Sequence, residues 1–517
     1  MHARATGAGT LVTLLARRAD EQPSSPFLVY EDLDGAVERR SYEETMQRAK
    51  AAAAALHRLG VRRGDLVHVH LWNSPEFFDA WFGAVRLGAV IVPTNPLLTS
   101  DELAYVVTHA ACKLSITQPA LIETVRRALG RRGVVLSTLI AEPPDGVLSF
   151  EQELALAGEG PLVERPAPTD PAAVLYTSGT TSRPKGVVVT HANYLHVGTV
   201  VARHLRVVPD DRTLITLPLF HANAQYYCTM PALTTGSSVI VMQRFSASRW
   251  LDVAARHSAT LASLFAAPIR MLLAQPERDI DARNELRTVV FSQNVTPSQL
   301  DDFERRFDCP LLQLYGMTET IAPPTLNPLD GERRNMSIGR PIDRAQIRVV
   351  DDGGEDVPNG EVGELLVRGR PGTTLMAGYL GDEAATRRTI VDGWLHTGDN
   401  VRRDEDGYLH FVDRSTDMIK RAGENVAASE VEGVVNSHWA VYESAAIGVP
   451  DEMRDEAIKV YVVLGDEKGA TEEELIEWCA GRLAKFKVPD TIEFVDGLPR
   501  TSVGKIQRAA LRTQPRL

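Results

Sequence analysis

The sequence predicts an α/β protein with mixed α+β subdomains, on three observations. Strand-like apolar runs alternate with helical ones along most of the chain, the rhythm of a mostly parallel sheet. Its 517 residues, 44% hydrophobic and 24% charged, are ordinary globular usage but exceed what a single core usually supports. The pattern changes near Asp413, beyond which a helical stretch, two strand-like runs and a further helix form a unit of about a hundred residues, the size of a small domain. The expected organisation is therefore a large N-terminal domain, residues 1–413, with mostly parallel sheets, followed by a small C-terminal α+β domain, residues 414–517.

The first clear helix opens at Ser41, which with Glu44 makes a capping-box pattern before an alanine-rich run that should stop at Gly60. The run DLVHVHL from Asp65 reads as a strand, with His68 and His70 on one face. No third ligand lies nearby, so they read as packed residues rather than metal ligands. Residues 143–171, rich in Pro, Gly, Glu and Asp, read as a loop. In the C-terminal unit the expected elements are a helix from Ser429, strands around Ala445 and Val460, and a helix capped by Thr471 and Glu474.

A net charge of −12 argues against a nucleic-acid binder, whose mark is a basic excess or stripe. Cys112, Cys228, Cys309 and Cys479 lie far apart, without the spacing of a zinc site or a disulfide framework. The apolar LVTLL near the N-terminus is too short for a signal core and runs into Arg17 and Arg18, and no run reaches membrane-spanning length. A reducing cytoplasm is the expected location, and heavy alanine and arginine usage points to a GC-rich bacterial genome.

The most informative stretch is LYTSGTTSRPKGVVVTH, from Leu175 to His191. Thr177, Ser178, Gly179, Thr180, Thr181 and Ser182 bring hydroxyls and a freely bending backbone, and Lys185 brings a point charge; together they can cradle phosphate oxygens. The pattern is not that of the nucleotide hydrolases with a GxxxxGK[ST] loop, because Lys185 follows Pro184 and precedes a valine run that should form a strand rather than a helix.

TSGTTSRPKG resembles the phosphate-loop signature of the adenylate-forming superfamily. Further matches follow in the family's order: PLFHANAQ from Pro218, YGMTET from Tyr315, SIGRP from Ser337, DGWLHTGD from Asp392, DRSTDMIKRAGENVAASEVE from Asp413 and PRTSVGKIQR from Pro499. The likeness spans nearly the whole chain. TTSRPKGVV, YGMTETI, KRAGENV, RDEAIK and AKFKVP look closest to its crotonobetaine/carnitine-CoA ligase branch.

The resemblance implies an AMP-forming acid–thiol ligase that uses ATP, Mg²⁺ and CoA. A carboxylate attacks the α-phosphate of ATP and expels pyrophosphate; the CoA thiol then attacks the acyl adenylate and displaces AMP, with a mobile C-terminal domain turning between the two steps. Carried over residue by residue, Lys505 would bridge carboxylate and α-phosphate, Thr318 would contact that phosphate, and Glu319 would hold Mg²⁺, as suits a hard carboxylate ligand. Tyr315 offers an aromatic face to adenine, Asp399 can accept the ribose hydroxyls, and Arg414 can donate to sugar or phosphate. His221 resembles the gating residue of the acid pocket, whose expected lining also includes Ala224, Tyr226, Phe265, Gln293, Asn294, Gly316 and Met317. Small residues beside aromatic walls there suggest room for a bulky acid. In KRAGEN, Gly423 would let the backbone approach the CoA arm, while Lys420 and Asn425 would reach AMP or the attacked centre.

Two departures stand out. FSQNVTPS from Phe291 puts Gln293 and Asn294 where many relatives are glycine-rich, and the hinge position holds Thr416 where Asp or Lys is usual. Two alternatives stay open: an enzyme specialised for one half-reaction, thioesterification of a preformed acyl adenylate, or a stand-alone adenylating enzyme that loads a carrier protein. The expected partners are the acid, ATP and CoA, with no nucleic acid and no membrane insertion; a homodimer is compatible with this reading.

Overall fold

The computed structural model describes residues 9–130, 133–157, 166–177, 184–293, 295–343, 345–414, 418–421, 424–451, 455–465, 469–500 and 506–512. Its strands form four sheets. The first has nine strands in the order Arg340–Pro341, Thr325–Leu326, Leu311–Tyr315, Thr288–Ser292, Leu261–Phe265, Arg212–Ile215, Ser238–Met242, Pro26–Glu31 and Val37–Ser41. The six from Leu311–Tyr315 to Pro26–Glu31 run parallel to their neighbours.

The second sheet has eight strands: Gly378–Tyr379, Lys185–Thr190, Pro171–Thr177, Val90–Pro93, Leu66–His70, Leu114–Thr117, Val134–Ser137 and Val147–Ser149. It is parallel from Pro171–Thr177 to Val147–Ser149 and ends in two antiparallel strands. Helices Tyr42–Arg58, Pro75–Arg86 and His191–His204 fill the space between these two sheets, burying Trp81, Tyr42, Tyr194, Phe77 and Phe78 in a shared core. All eleven residues of Pro75–Val85 are buried, as a helix between two sheets requires.

A third, antiparallel sheet joins Ile347–Val350, Val362–Arg368, Trp394–Arg403 and Ile390–Val391, with Leu409–Arg414 paired to Trp394–Arg403. The fourth joins Glu424–Ala427, Met418–Arg421, Asp455–Leu464 and Val441–Asp451, with Thr491–Phe494 parallel to Asp455–Leu464. Helices Ala428–Asn436 and Glu472–Ala480 close a separate apolar core over this sheet, around Ile419, Val431, Val460 and Leu475. The chain passes from the third sheet to the fourth between Arg414 and Met418.

The capping boxes read from the sequence form as expected. Ser41 accepts from the Glu44 amide and Glu44 reaches back to the Ser41 amide, and Thr471 and Glu474 repeat the arrangement. The Tyr42–Arg58 helix ends before Gly60, whose φ of +90° is the left-handed geometry that glycine adopts freely. The expectation of a plain loop over 143–171 is corrected: Val147–Ser149 is an edge strand and Phe150–Leu156 a helix. Ser149 caps that helix, Phe150 and Leu154 bury one stripe, and Glu153 pairs with Arg58 of the Tyr42–Arg58 helix. A seven-residue helix surrounded by loop-forming residues carries too little periodicity to stand out from composition.

His68 and His70 are fully buried and stacked at 5.6 Å. His68 bonds Ser115 and Thr94 at 2.8 Å each, and His70 bonds Thr94 at 2.8 Å through Nδ1. Burial holds both rings neutral, pushing the His70 pKa down to about 4. The four cysteines are free thiols, three of them buried.

Candidate active site

The phosphate segment leaves strand Pro171–Thr177 and returns through Lys185–Thr190. The two strands are antiparallel, with Thr177 opposite Lys185 and Tyr176 opposite Gly186, so the loop starts and ends at one point. Gly186 is required there, because a β-carbon would lie 2.7 Å from Val174 Cγ1. The Tyr105 hydroxyl donates to the Pro184 carbonyl at 3.1 Å and steadies the return of the loop. Ser178, Gly179, Thr180 and Thr181 lie outside the described residues.

Lys185 places its ammonium 4.9 Å from the centre of the Tyr379 ring, a cation–π distance. The Tyr379 hydroxyl in turn donates to Glu319 Oε1 at 3.0 Å. Glu319 is buried, and its carbonyl accepts from the Met376 amide at 3.0 Å. Four residues before Glu319, the Tyr315 hydroxyl donates to Asp399 Oδ2 at 2.6 Å. Asp399 is held by its own amide donating to Thr397 Oγ1 at 3.1 Å. Two contact sets, Lys185–Tyr379–Glu319 and Tyr315–Asp399, are thus joined by the short segment from Tyr315 to Glu319, and they draw on three sheets.

Between Tyr315 and Glu319 the backbone makes a tight, self-bonded turn. The Met317 amide donates to Thr320 Oγ1 and that hydroxyl donates back to the Met317 carbonyl, both at 3.0 Å. Next, Ile321 is fully buried at φ +64°, a strained geometry for a β-branched residue of the sort that collects at functional sites. Gly316 is exposed, with the Tyr227 hydroxyl 2.3 Å from where its β-carbon would sit, so only glycine fits this turn.

The residues expected to line the acid pocket divide into two groups. His221, Gln293, Gly316 and Met317 are half-buried or exposed. The His221 ring stands edge-on to Phe265 at 5.7 Å, and its Nδ1 accepts from the Asn223 amide at 3.1 Å, which leaves the neutral ring's proton on Nε2. Ala224 and Tyr226 lie fully buried beneath this face; Tyr226 packs on Tyr194 and its hydroxyl donates to the Thr318 carbonyl at 3.4 Å. Residues Ala224–Thr229 form a π-helical turn, a feature frequent at functional sites. Gln293 stands at φ +77°, the backbone geometry a glycine takes without strain. Asn294 lies outside the described residues.

In the C-terminal part, Lys420 and Asn425 are register partners on the hairpin of Met418–Arg421 and Glu424–Ala427. Arg414 is the cross-strand partner of Asp399. Lys487 pairs with Glu430 at 2.7 Å. Thr416, Gly423 and Lys505 lie outside the described residues. Sequence reading missed Tyr379 and Ile321: Tyr379 sits in MAGYL, where nothing but its place beside Lys185 and Glu319 marks it, and Ile321 reads as an ordinary core residue.

Residues 15–380 match the family model for the AMP-binding enzyme, and residues 430–505 match that for the AMP-binding enzyme C-terminal domain. A crotonobetaine/carnitine–CoA ligase of Proteus mirabilis is 38% identical over 497 residues, covering 94% of this chain and 95% of the relative. Among solved structures, ATP-bound MatB from Rhodopseudomonas palustris superposes with a TM-score of 0.87 at 29% identity, covering 97% of this chain and 98% of that one. The o-succinylbenzoate CoA synthetase MenE from Bacillus subtilis, in complex with an acyl-adenylate intermediate, does so with 0.86 at 27% identity, covering 99% of both chains. The chain belongs to the AMP-binding enzyme family and is an AMP-forming acid–CoA ligase, activating an acid with ATP and passing the acyl group to CoA.

Proposed function

We propose that both half-reactions run where the contact sets Lys185–Tyr379–Glu319 and Tyr315–Asp399 meet, with Lys505 as the catalytic cation of the first. The observation that supports this reading is the pair of contact sets on one short segment: a phosphate-side lysine joined through Tyr379 to a buried carboxylate at 4.9 and 3.0 Å, and, four residues before that carboxylate, a tyrosine bonded to an aspartate at 2.6 Å, a pair suited to a nucleoside. Attack by a carboxylate on a phosphate brings two anions together, so the site must supply positive charge where charge develops. Lys185, the loop from Thr177 through Ser178, Gly179, Thr180 and Thr181, and Lys505 supply it in this reading, with Thr318 on the α-phosphate.

Glu319 fits a divalent ion by its chemistry. It is one hard oxygen ligand, and among the described residues no group of three or more His, Cys, Asp or Glu is gathered as a closed metal cage. Mg²⁺ is ordinarily held by one or two carboxylates together with substrate phosphates and would supply charge neutralisation there. Asp399 and Arg414 hold the ribose, and Tyr315 the adenine. The acid enters by His221 and lies along Phe265, Gln293 and Met317. Domain 414–517 turns about Thr416, bringing Lys420, Gly423 and Asn425 to the acyl adenylate for attack by CoA. A homodimer working in the cytoplasm completes the reading; no helix among the described residues is long and apolar enough to cross a membrane.

The likeness to a crotonobetaine/carnitine–CoA ligase makes betaine acids the first to test. A trimethylammonium group needs open aromatic faces, whereas Tyr226 is fully buried and Tyr227 is 7% exposed. Neither tyrosine therefore offers a cation an open face. Lys505→Ala and Glu319→Gln are expected to lower ATP–pyrophosphate exchange at least a hundredfold, on the scale of losing one stabilising group of a transition state. Lys505→Ala alone should leave acyl transfer from a supplied acyl adenylate to CoA within about threefold of the parent enzyme. Exchange that survives both substitutions contradicts these roles.

A further inference from the structure

Tyr379 lies within the proposed site without a step of its own, and its side chain touches two groups given roles there, Lys185 and Glu319. Its strand, Gly378–Tyr379, is antiparallel to Lys185–Thr190, with Tyr379 opposite Val187. The backbone around it is tied on both sides: Ala377 N–H donates to the Val188 carbonyl at 2.9 Å and Leu380 N–H to the Gly186 carbonyl at 2.8 Å. Tyr379 N–H donates to Thr386 Oγ1 at 2.9 Å, and Met376 N–H donates to the Glu319 carbonyl at 3.0 Å. The segment is therefore a brace between the strand that begins at Lys185 and the turn that carries Glu319.

We propose that Tyr379 is a positioning residue of the adenylation step, its hydroxyl fixing the Glu319 carboxylate and its ring seating the Lys185 ammonium, so that one side chain sets the spacing between metal ligand and phosphate-side cation. The inference rests on the roles proposed above for Glu319 and Lys185. A hydrogen bond from a neutral donor to a carboxylate restricts its rotation, and a ring beneath an ammonium restricts a long flexible stem, so each contact pre-pays ordering that the bound nucleotide would otherwise have to impose. A phenol is protonated at neutral pH and so stands as a donor to the carboxylate.

The test is calorimetric titration of the full chain with a non-cleavable α,β-methylene analogue of ATP, at a series of Mg²⁺ concentrations and with metal removed. Tyr379→Phe keeps the ring and deletes the hydroxyl; it should raise the Mg²⁺ concentration for half-maximal binding about tenfold, the scale of a hydrogen bond to a charged group, with metal-free binding within twofold. Tyr379→Leu should in addition weaken metal-free binding about fivefold, because Lys185 loses its platform. Thermal melts confirm that each variant is folded. Tyr379→Phe with an unshifted Mg²⁺ dependence, alongside a Glu319→Gln control that does shift it, overturns the inference and leaves the Glu319 reading standing. An unshifted Glu319→Gln control overturns the metal role of Glu319 and the inference with it. Equal behaviour of the Phe and Leu variants in metal-free binding overturns the Lys185 half.

Discussion

Single residues carry sharp consequences here because several occupy positions that no other side chain fits. Gly316 is one: its β-carbon would meet the Tyr227 hydroxyl at 2.3 Å, while the next neighbours, Pro323 Cα at 3.4 Å and Tyr227 Cζ at 3.6 Å, are at ordinary contact. Gly316→Ala should therefore displace the turn leading to Glu319, costing about 1–3 kcal/mol in stability and lowering adenylation at least tenfold. Adding Tyr227→Phe removes the clashing oxygen and should restore most of both losses, measured by chemical unfolding and pyrophosphate exchange. His70 carries a consequence of another kind. Its native pKa of about 4 lies below the ordinary value of 6.5, so the unfolded chain takes up a proton that the folded one refuses. Stability should fall as pH drops from about 6.5 to about 4, by up to about 3 kcal/mol from this group. Unfolding free energies against pH should show that slope, and His70→Gln should flatten it.

At the scale of elements, the capped helices were the most legible part of the chain, since their signals are local. Ser41 and Glu44 mark a helix start by three-residue spacing alone, and the structure forms both bonds. Ser41→Ala should cost about 1 kcal/mol, read from the denaturation midpoint, with activity unchanged in native conditions. The strand after Lys185 was legible for the same reason, as the β-branched run Val187–Val189 favours a strand. Less legible was the region 143–171, where a short edge strand and a short helix are held by tertiary contacts such as Arg58–Glu153 rather than by their own periodicity. The same limit hid Tyr379. Its importance comes from a strand pairing between residues far apart in sequence, and no local pattern records which tyrosine lands beside Glu319.

At the scale of the whole molecule, the order of motifs along the chain carried the function before any coordinate did, because the proposed site draws residues from several sheets. Tyr315 and Asp399 show how: they belong to different sheets, and folding brings the tyrosine hydroxyl to 2.6 Å from the carboxylate. The acid pocket was less legible, because which aromatic face stays open depends on packing: Tyr226 sinks into the core against Tyr194, while His221 remains half-exposed. The central claim is that one chain activates an acid with ATP and transfers it to CoA. The most direct test is mass-spectrometric product analysis with a panel from small betaines to bulky aromatic carboxylates, each supplied with CoA and either ATP plus acid or the preformed acyl adenylate. The account predicts acyl-CoA with matching AMP and pyrophosphate from ATP plus at least one acid; acyl-CoA arising solely from supplied adenylates would contradict it.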